Sequence, residues 1–215
     1  MIILGLDVSS ISTGWSIVST EPSAKNSLKL DNFGIIHNNS SMSVIQRLYF
    51  QSNEIKKILE KFRPDEIAME ETVFVHGPKI MKTLSRFSGI ALLQCYTYNK
   101  KEVCLYEPAR WKKSLNIKGN ALKAEVQLKI CSEFNLLNIE IINKYQQEIE
   151  KIKNSIDEFK NIAKKQKLEK IIIKKQVANL AKEFDKISIN IYTDCGINND
   201  IADSIGIALC LSKQK

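Results

Sequence analysis

The chain has 215 residues, 44% of them hydrophobic, which suffices for one globular domain with an added element. Thirty-two Lys and Arg against 24 Asp and Glu leave a formal charge of +8, and basic side chains gain affinity for nucleic acid by neutralising phosphate. No run approaches the roughly 20 apolar residues of a membrane span. The five cysteines (Cys95, Cys104, Cys131, Cys195, Cys210) include no CxxC pair, which argues against a zinc knuckle or disulfide framework and for reduced packing residues.

Met1 leads directly into Ile2-Ile3-Leu4-Gly5-Leu6-Asp7, which reads as a buried strand and not as a signal peptide, so a soluble intracellular protein is expected. Strands are predicted over residues 2–8, 13–19 and 31–37, separated by Ser/Thr-rich and Ser/Asn/Lys-rich breaks. In residues 44–62, Val44, Ile45, Leu48, Ile55, Ile58, Leu59 and Phe62 mark an amphipathic helix that Pro64 ends. A strand over 67–71, a helix over 79–98, a strand over 103–106 and a helix after Asn120 continue the alternation. This order predicts an α/β fold, a central sheet covered by helices.

From about 139 to 187 the composition shifts to Lys, Glu, Ile and Gln without Gly or Pro. Ile142, Tyr145, Ile149, Ile152, Ile156 and Phe159 form a coiled-coil-like seam, and Ile173, Val177, Leu180 and Phe184 a second stripe, predicting a helical hairpin with its turn near Lys164 to Lys167. Its lysines read either as a solvated face or as an arm toward DNA or a second subunit. The resulting domain plan is a nuclease-sized domain over 1–135 and 190–215, with a helical insertion over 136–189. A final helix over 198–211 has Ile201, Ile205, Ala208 and Leu209 on one face.

Four carboxylates stand out. Asp7 and Glu70 each close an apolar strand, where a lone buried acid is costly unless paired or bound to a cation. Asp200 and Asp203, at i and i+3, share one face of the last helix and repel unless something positive relieves them; the reading as helix-start acids favoured by the macrodipole stays open, chiefly for Asp200. An all-oxygen set suits Mg²⁺ or Mn²⁺, and a pair of such ions can activate water and stabilise the leaving oxygen at phosphorus. By strand alternation Glu71 faces away from Glu70.

Gly5-Leu6-Asp7-Val8-Ser9-Ser10 with Thr13-Gly14-Trp15, Ala68-Met69-Glu70, Gly89-Ile90-Ala91, Trp111-Lys112, Gly119-Asn120-Ala121-Leu122-Lys123 and Asp200-Ile201-Ala202-Asp203 together resemble the RuvC family of Holliday-junction resolvases. The resemblance spans residues 1 to about 130 and 196 to 211. It implies an RNase H-like mixed five-stranded sheet flanked by helices, with the helical insertion before the last helix. It also implies a homodimer that needs Mg²⁺, with two ions per site and Mn²⁺ as a substitute, and that nicks four-way DNA junctions. Asp7, Glu70, Asp200 and Asp203 would be the metal-holding catalytic carboxylates, and Lys123 would assist cleavage. Val8 and Ser9 stand where the family has Pro-Gly, and the segment from 139 to 187 is longer than in bacterial members.

Among candidate DNA contacts, Lys79, Lys82 and Arg86 share one helical face, and Lys112, Lys113, Lys118 and Lys123 surround Trp111 and Gly119 in a stretch that reads as loop. Lys112 and Lys123 suit the scissile phosphate. Phe74 is a candidate for base stacking, against ordinary loop packing; His76, beside Gly77-Pro78, reads as a turn residue. Competing functions are a nuclease for flaps, forks or RNA-containing branches, an actin-like ATPase or sugar kinase suggested by the Gly-Leu-Asp-Val-Ser-Ser turn, and a non-catalytic scaffold built on the helical segment.

Overall fold

The computed structural model describes residues 1–20, 28–73, 77–165 and 170–214. Five strands form one mixed sheet: β1 (Ile2–Asp7), β2 (Ser12–Thr20), β3 (Leu28–His37), β4 (Glu66–Glu70) and β5 (Cys104–Tyr106), in the order β3-β2-β1-β4-β5. β1 runs antiparallel to β2 and parallel to β4, and β4 runs parallel to β5. The helices are α1 (Val44–Phe62), α2 (Pro78–Asn99), α3 (Pro108–Ser114), α4 (Lys123–Glu133), α5 (Ile139–Lys165), α6 (Lys170–Cys195) and α7 (Asn199–Ser212). None of the described helices is long and apolar enough to cross a membrane.

The chain divides into two compact units, Met1–Asn120 with Asp200–Lys215, and Ala121–Asn199. In the first, the period of two along the strands sorts the side chains. Leu4, Leu6, Ile67 and Met69 join Ile55, Ile58 and Leu59 of α1 and Ala91 and Cys95 of α2 in one core. α1 begins with a reciprocal cap, Gln46 N donating to Ser43 Oγ at 3.3 Å and Ser43 N to Gln46 Oε1 at 2.9 Å. It ends with Arg63 in the left-handed region, before Pro64. Ile45 leaves the predicted apolar stripe and is 74% exposed.

α7 covers the opposite face of β1 and β2. A Cβ on Gly5 would collide with the Ser204 carbonyl, and one on Gly14 with the Asp200 backbone, so both glycines let the helix approach closely. Gly206 gives the same clearance to Trp111 of α3, whose ring atoms would lie 2.7 Å from an added Cβ. The sequence predicts one apolar face on this helix. Packed on two sides, it instead buries Ile201, Ala202 and every residue from Ser204 to Leu211.

The second unit has its own core. Ile142, Tyr145, Ile149 and Ile152 of α5 pack with Phe184, Ile187 and Ile191 of α6 and with Ala124, Leu128 and Cys131 of α4. Gln127 Nε2 donates to the Ile197 carbonyl at 2.8 Å and Ser188 Oγ to Gln127 Oε1 at 2.6 Å, so the buried polar groups are paired. The hairpin turn expected near Lys164 to Lys167 lies in part outside the described residues, which omit 166–169.

Candidate active site

Asp7 and Glu70 end neighbouring parallel strands. The register pairs Leu6 with Met69, and on each strand the next residue is the acid. Asp7 pairs across the antiparallel ladder with Gly14, so its side chain leaves the sheet on the face where an added Gly14 Cβ would meet the Asp200 backbone. Asp7, Glu70 and Asp200, at the start of α7, thereby stand at the carboxyl end of β1 and β4, and Asp203 follows three residues along the same helix. All four acids are half-buried.

Two donors hold carboxylates of this group. The indole Nε1–H of Trp111, fully buried, donates to Glu70 Oε2 at 2.8 Å. Ser12 Oγ, at the start of β2 just after the turn from β1, donates to Asp200 Oδ2. That turn is fixed from behind: Ser9 Oγ donates to the Ser12 carbonyl at 2.7 Å, Arg47 Nη1 to the Ser10 carbonyl at 3.0 Å, and Asn38 N to the Ile11 carbonyl at 2.7 Å. Burial pushes the Glu70 carboxyl above the usual carboxylate range, while the Trp111 hydrogen bond and the nearby Lys112 ammonium pull it back.

Among the described residues, no three carboxylate, imidazole or thiol side chains already converge tightly enough to hold a metal ion. The donor chemistry nevertheless fits a hard divalent cation: the group is all oxygen, and Glu70 is a desolvated carboxylate whose neighbours are one neutral donor, Trp111, and one cation, Lys112.

β4 ends at Glu70. Glu71 then donates its backbone N–H to the Tyr106 carbonyl at 2.9 Å, and with Val8, Glu70, Thr72, Val73 and Leu84 it lines one small pocket.

The segment carrying Lys112 and Lys113 is not loop: it is helix α3, begun by Pro108 and anchored by Trp111. The apolar residues of so short a segment gave no periodic signal. Lys112 is half-buried beside Glu70, whereas Lys113 and Lys118 are exposed. Lys79, Lys82 and Arg86 are exposed on α2. Lys123 is the exposed first residue of α4 and belongs to the other unit. Phe74 and His76 lie outside the described residues. Sequence reading did not find the roles of Trp111 and Ser12; the available signal was that a buried indole N–H requires an acceptor.

Comparison with known proteins follows the same lines. The family model described as Crossover junction endodeoxyribonuclease RuvC matches residues 3–150. The protein of that name from Ruminiclostridium cellulolyticum is 32% identical over 136 residues, covering 63% of this chain and 80% of the relative. Its counterpart from Ehrlichia ruminantium strain Gardel is 33% identical over 147 residues, covering 67% and 88%. The structure of Thermus thermophilus RuvC superposes with a TM-score of 0.63 at 18% identity over 99% of this chain and 93% of that one, a likeness of fold. A structure of that protein in complex with Holliday junction substrate gives the same TM-score.

Proposed function

This chain belongs to the family of the crossover junction endodeoxyribonuclease RuvC, and from that premise we propose how its residues resolve a four-way DNA junction. It is a divalent-metal-dependent endonuclease acting on Holliday junctions. We assign the metal-holding role to Asp7, Glu70, Asp200 and Asp203, with Mg²⁺ as the cation, two ions per site, and Mn²⁺ as a substitute. The carrying observation is the register that ends β1 and β4 on adjacent acids, with α7 packed on Gly14 opposite Asp7.

When bound, the cations would lower the pKa of a water and stabilise the oxygen that leaves phosphorus. The chain's own contributions are positional. Trp111 and Ser12 orient two carboxylates, and the Lys112 and Lys123 ammonium groups neutralise charge on the scissile phosphate. Lys79, Lys82, Arg86, Lys113 and Lys118 hold the flanking backbone, and Phe74 stacks on a base at the branch. We place two copies on one junction, so that paired nicks are made. The domain plan that accompanies this is a nuclease domain over 1–135 and 190–215 interrupted by a helical insertion over 136–189, a reading supported by the packing of α5 on α6. A sugar-kinase or ATPase reading finds no support among these relatives.

The test is to incubate the protein and Mg²⁺ with matched four-way junction, fork, flap and linear duplex, and to map the nicks. Symmetrical cuts confined to the junction are expected. Asp7→Asn and Asp203→Asn should abolish cutting while leaving junction binding in gel shifts largely intact; undiminished cutting by either would overturn the metal assignment.

A further inference from the structure

In the helical unit, two thiols 64 positions apart in sequence meet. Cys131 of α4 and Cys195, the last residue of α6, bring their Sγ atoms to 3.2 Å in a thiol–thiol hydrogen bond. Cys131 is fully buried, while Cys195 is half-buried and also donates to the Ile191 carbonyl at 3.1 Å. A disulfide needs sulfurs about 2.05 Å apart, so a closure of roughly 1 Å separates this pair from a covalent bond.

The two sulfurs are chemically unequal. The hydrogen bond from Cys131, helped by the Ile197 backbone N–H, pulls the Cys195 thiol down to about 7, against burial and the Asp194 carboxylate. The same hydrogen bond, then burial, pushes Cys131 up. Cys195 is therefore the more easily ionised and the more accessible, as an attacking sulfur must be, and Cys131 is the partner held against it. By contrast, burial pushes the Cys95 thiol up to about 12.

We propose that Cys131 and Cys195 are a site of reversible disulfide formation, driven by a hydroperoxide, that clasps α4 to the carboxyl-terminal end of α6. The Cys195 thiolate attacks one oxygen of hydrogen peroxide, the O–O bond breaks, and the departing hydroxide takes up a proton as water, leaving a sulfenic acid. The Cys131 sulfur then attacks the Cys195 sulfur; the S–O bond breaks, and the leaving hydroxide leaves as water with the Cys131 proton. Two thiols lose two electrons, one peroxide gains them, and two waters form. The bond closes the chain from 131 to 195, and α7, with Asp200, begins four residues after Cys195.

The test uses the full chain, treated with stoichiometric hydrogen peroxide and then desalted. Titratable thiols should fall from five to three, and a non-reducing digest should yield one crosslinked pair of peptides carrying Cys131 and Cys195, two hydrogens lighter than their sum. Melting temperature should rise by several degrees and return on treatment with dithiothreitol. Cys195→Ser, with four thiols, should keep all four under the same conditions. The wild-type peptide map decides the matter even if that variant folds poorly. Five thiols surviving, sulfinic acid at Cys195 without a crosslink, or a bond joining two chains would each overturn the proposal.

Discussion

At the scale of single residues, the informative feature is the way donors hold the acids. Trp111 is fully buried, packs over Gly206 and spends its one N–H on Glu70. Phenylalanine fills most of that volume but offers no donor, so Trp111→Phe should keep the fold and release the Glu70 carboxylate. Groups that orient a ligand typically carry about 10–100-fold in metal affinity or activity. Junction cleavage titrated with Mg²⁺, together with Mn²⁺ binding by calorimetry, should show a loss in that range; unchanged Mn²⁺ affinity would remove Trp111 from the site. In the helical unit, Tyr145 Oη donates to Asp194 Oδ2 at 2.6 Å, and the Tyr145 phenol is pushed up by burial and by that carboxylate. Tyr145→Phe should lower stability by about 1–3 kcal/mol, read from urea melts.

At the scale of elements, the site depends on how closely a helix can lie on a sheet. Gly14 is opposite Asp7, and a methyl there has no room against the Asp200 backbone. Gly14→Ala should cost about 1–3 kcal/mol and displace the start of α7 from β1, lowering cleavage more than junction binding. Thermal melts and gel shifts on one preparation separate the two effects; wild-type cleavage would show that α7 is not held there. Most elements were readable from pattern: Ile55, Ile58 and Leu59 mark the buried side of α1, and the a/d-like seam of α5 is buried where Ile142, Tyr145 and Ile149 predict. α3 escaped notice because seven residues span only about two turns, too few for a period to register.

For the whole molecule, charge and assembly are the relevant quantities. If Lys82 and Arg86 of α2 track the phosphate backbone, the Lys82→Ala, Arg86→Ala double variant should weaken junction binding across sequences and reduce the slope of log affinity against log salt by about 2. An unchanged slope would return both to a solvated face. Along the same exposed face of α2, at spacings of four and three, follow Gly89, Leu93 and Tyr96, with Leu93 60% and Tyr96 46% exposed, while Ile45 and Tyr49 stand out from α1. This apolar surface is the part of the first unit best suited to a second copy. Leu93→Lys should therefore convert the dimer we propose into a monomer by light scattering, with loss of paired nicking.

The sequence alone determined the mixed α/β architecture, the family, and the candidacy of Asp7 and Glu70, because burial alternates every two residues along a strand and an acid that breaks such a pattern is visible in one dimension. It also determined the paired stripes of the helical segment, because helical periodicity is equally local. Only the tertiary structure decided that Trp111 donates to Glu70 and Ser12 to Asp200, that Gly14 and Gly206 are spaces for other residues, and that Cys131 meets Cys195. Each of these pairings joins residues far apart in the chain. Their partners are selected by how helices dock on the sheet or on one another, and no local period records that choice.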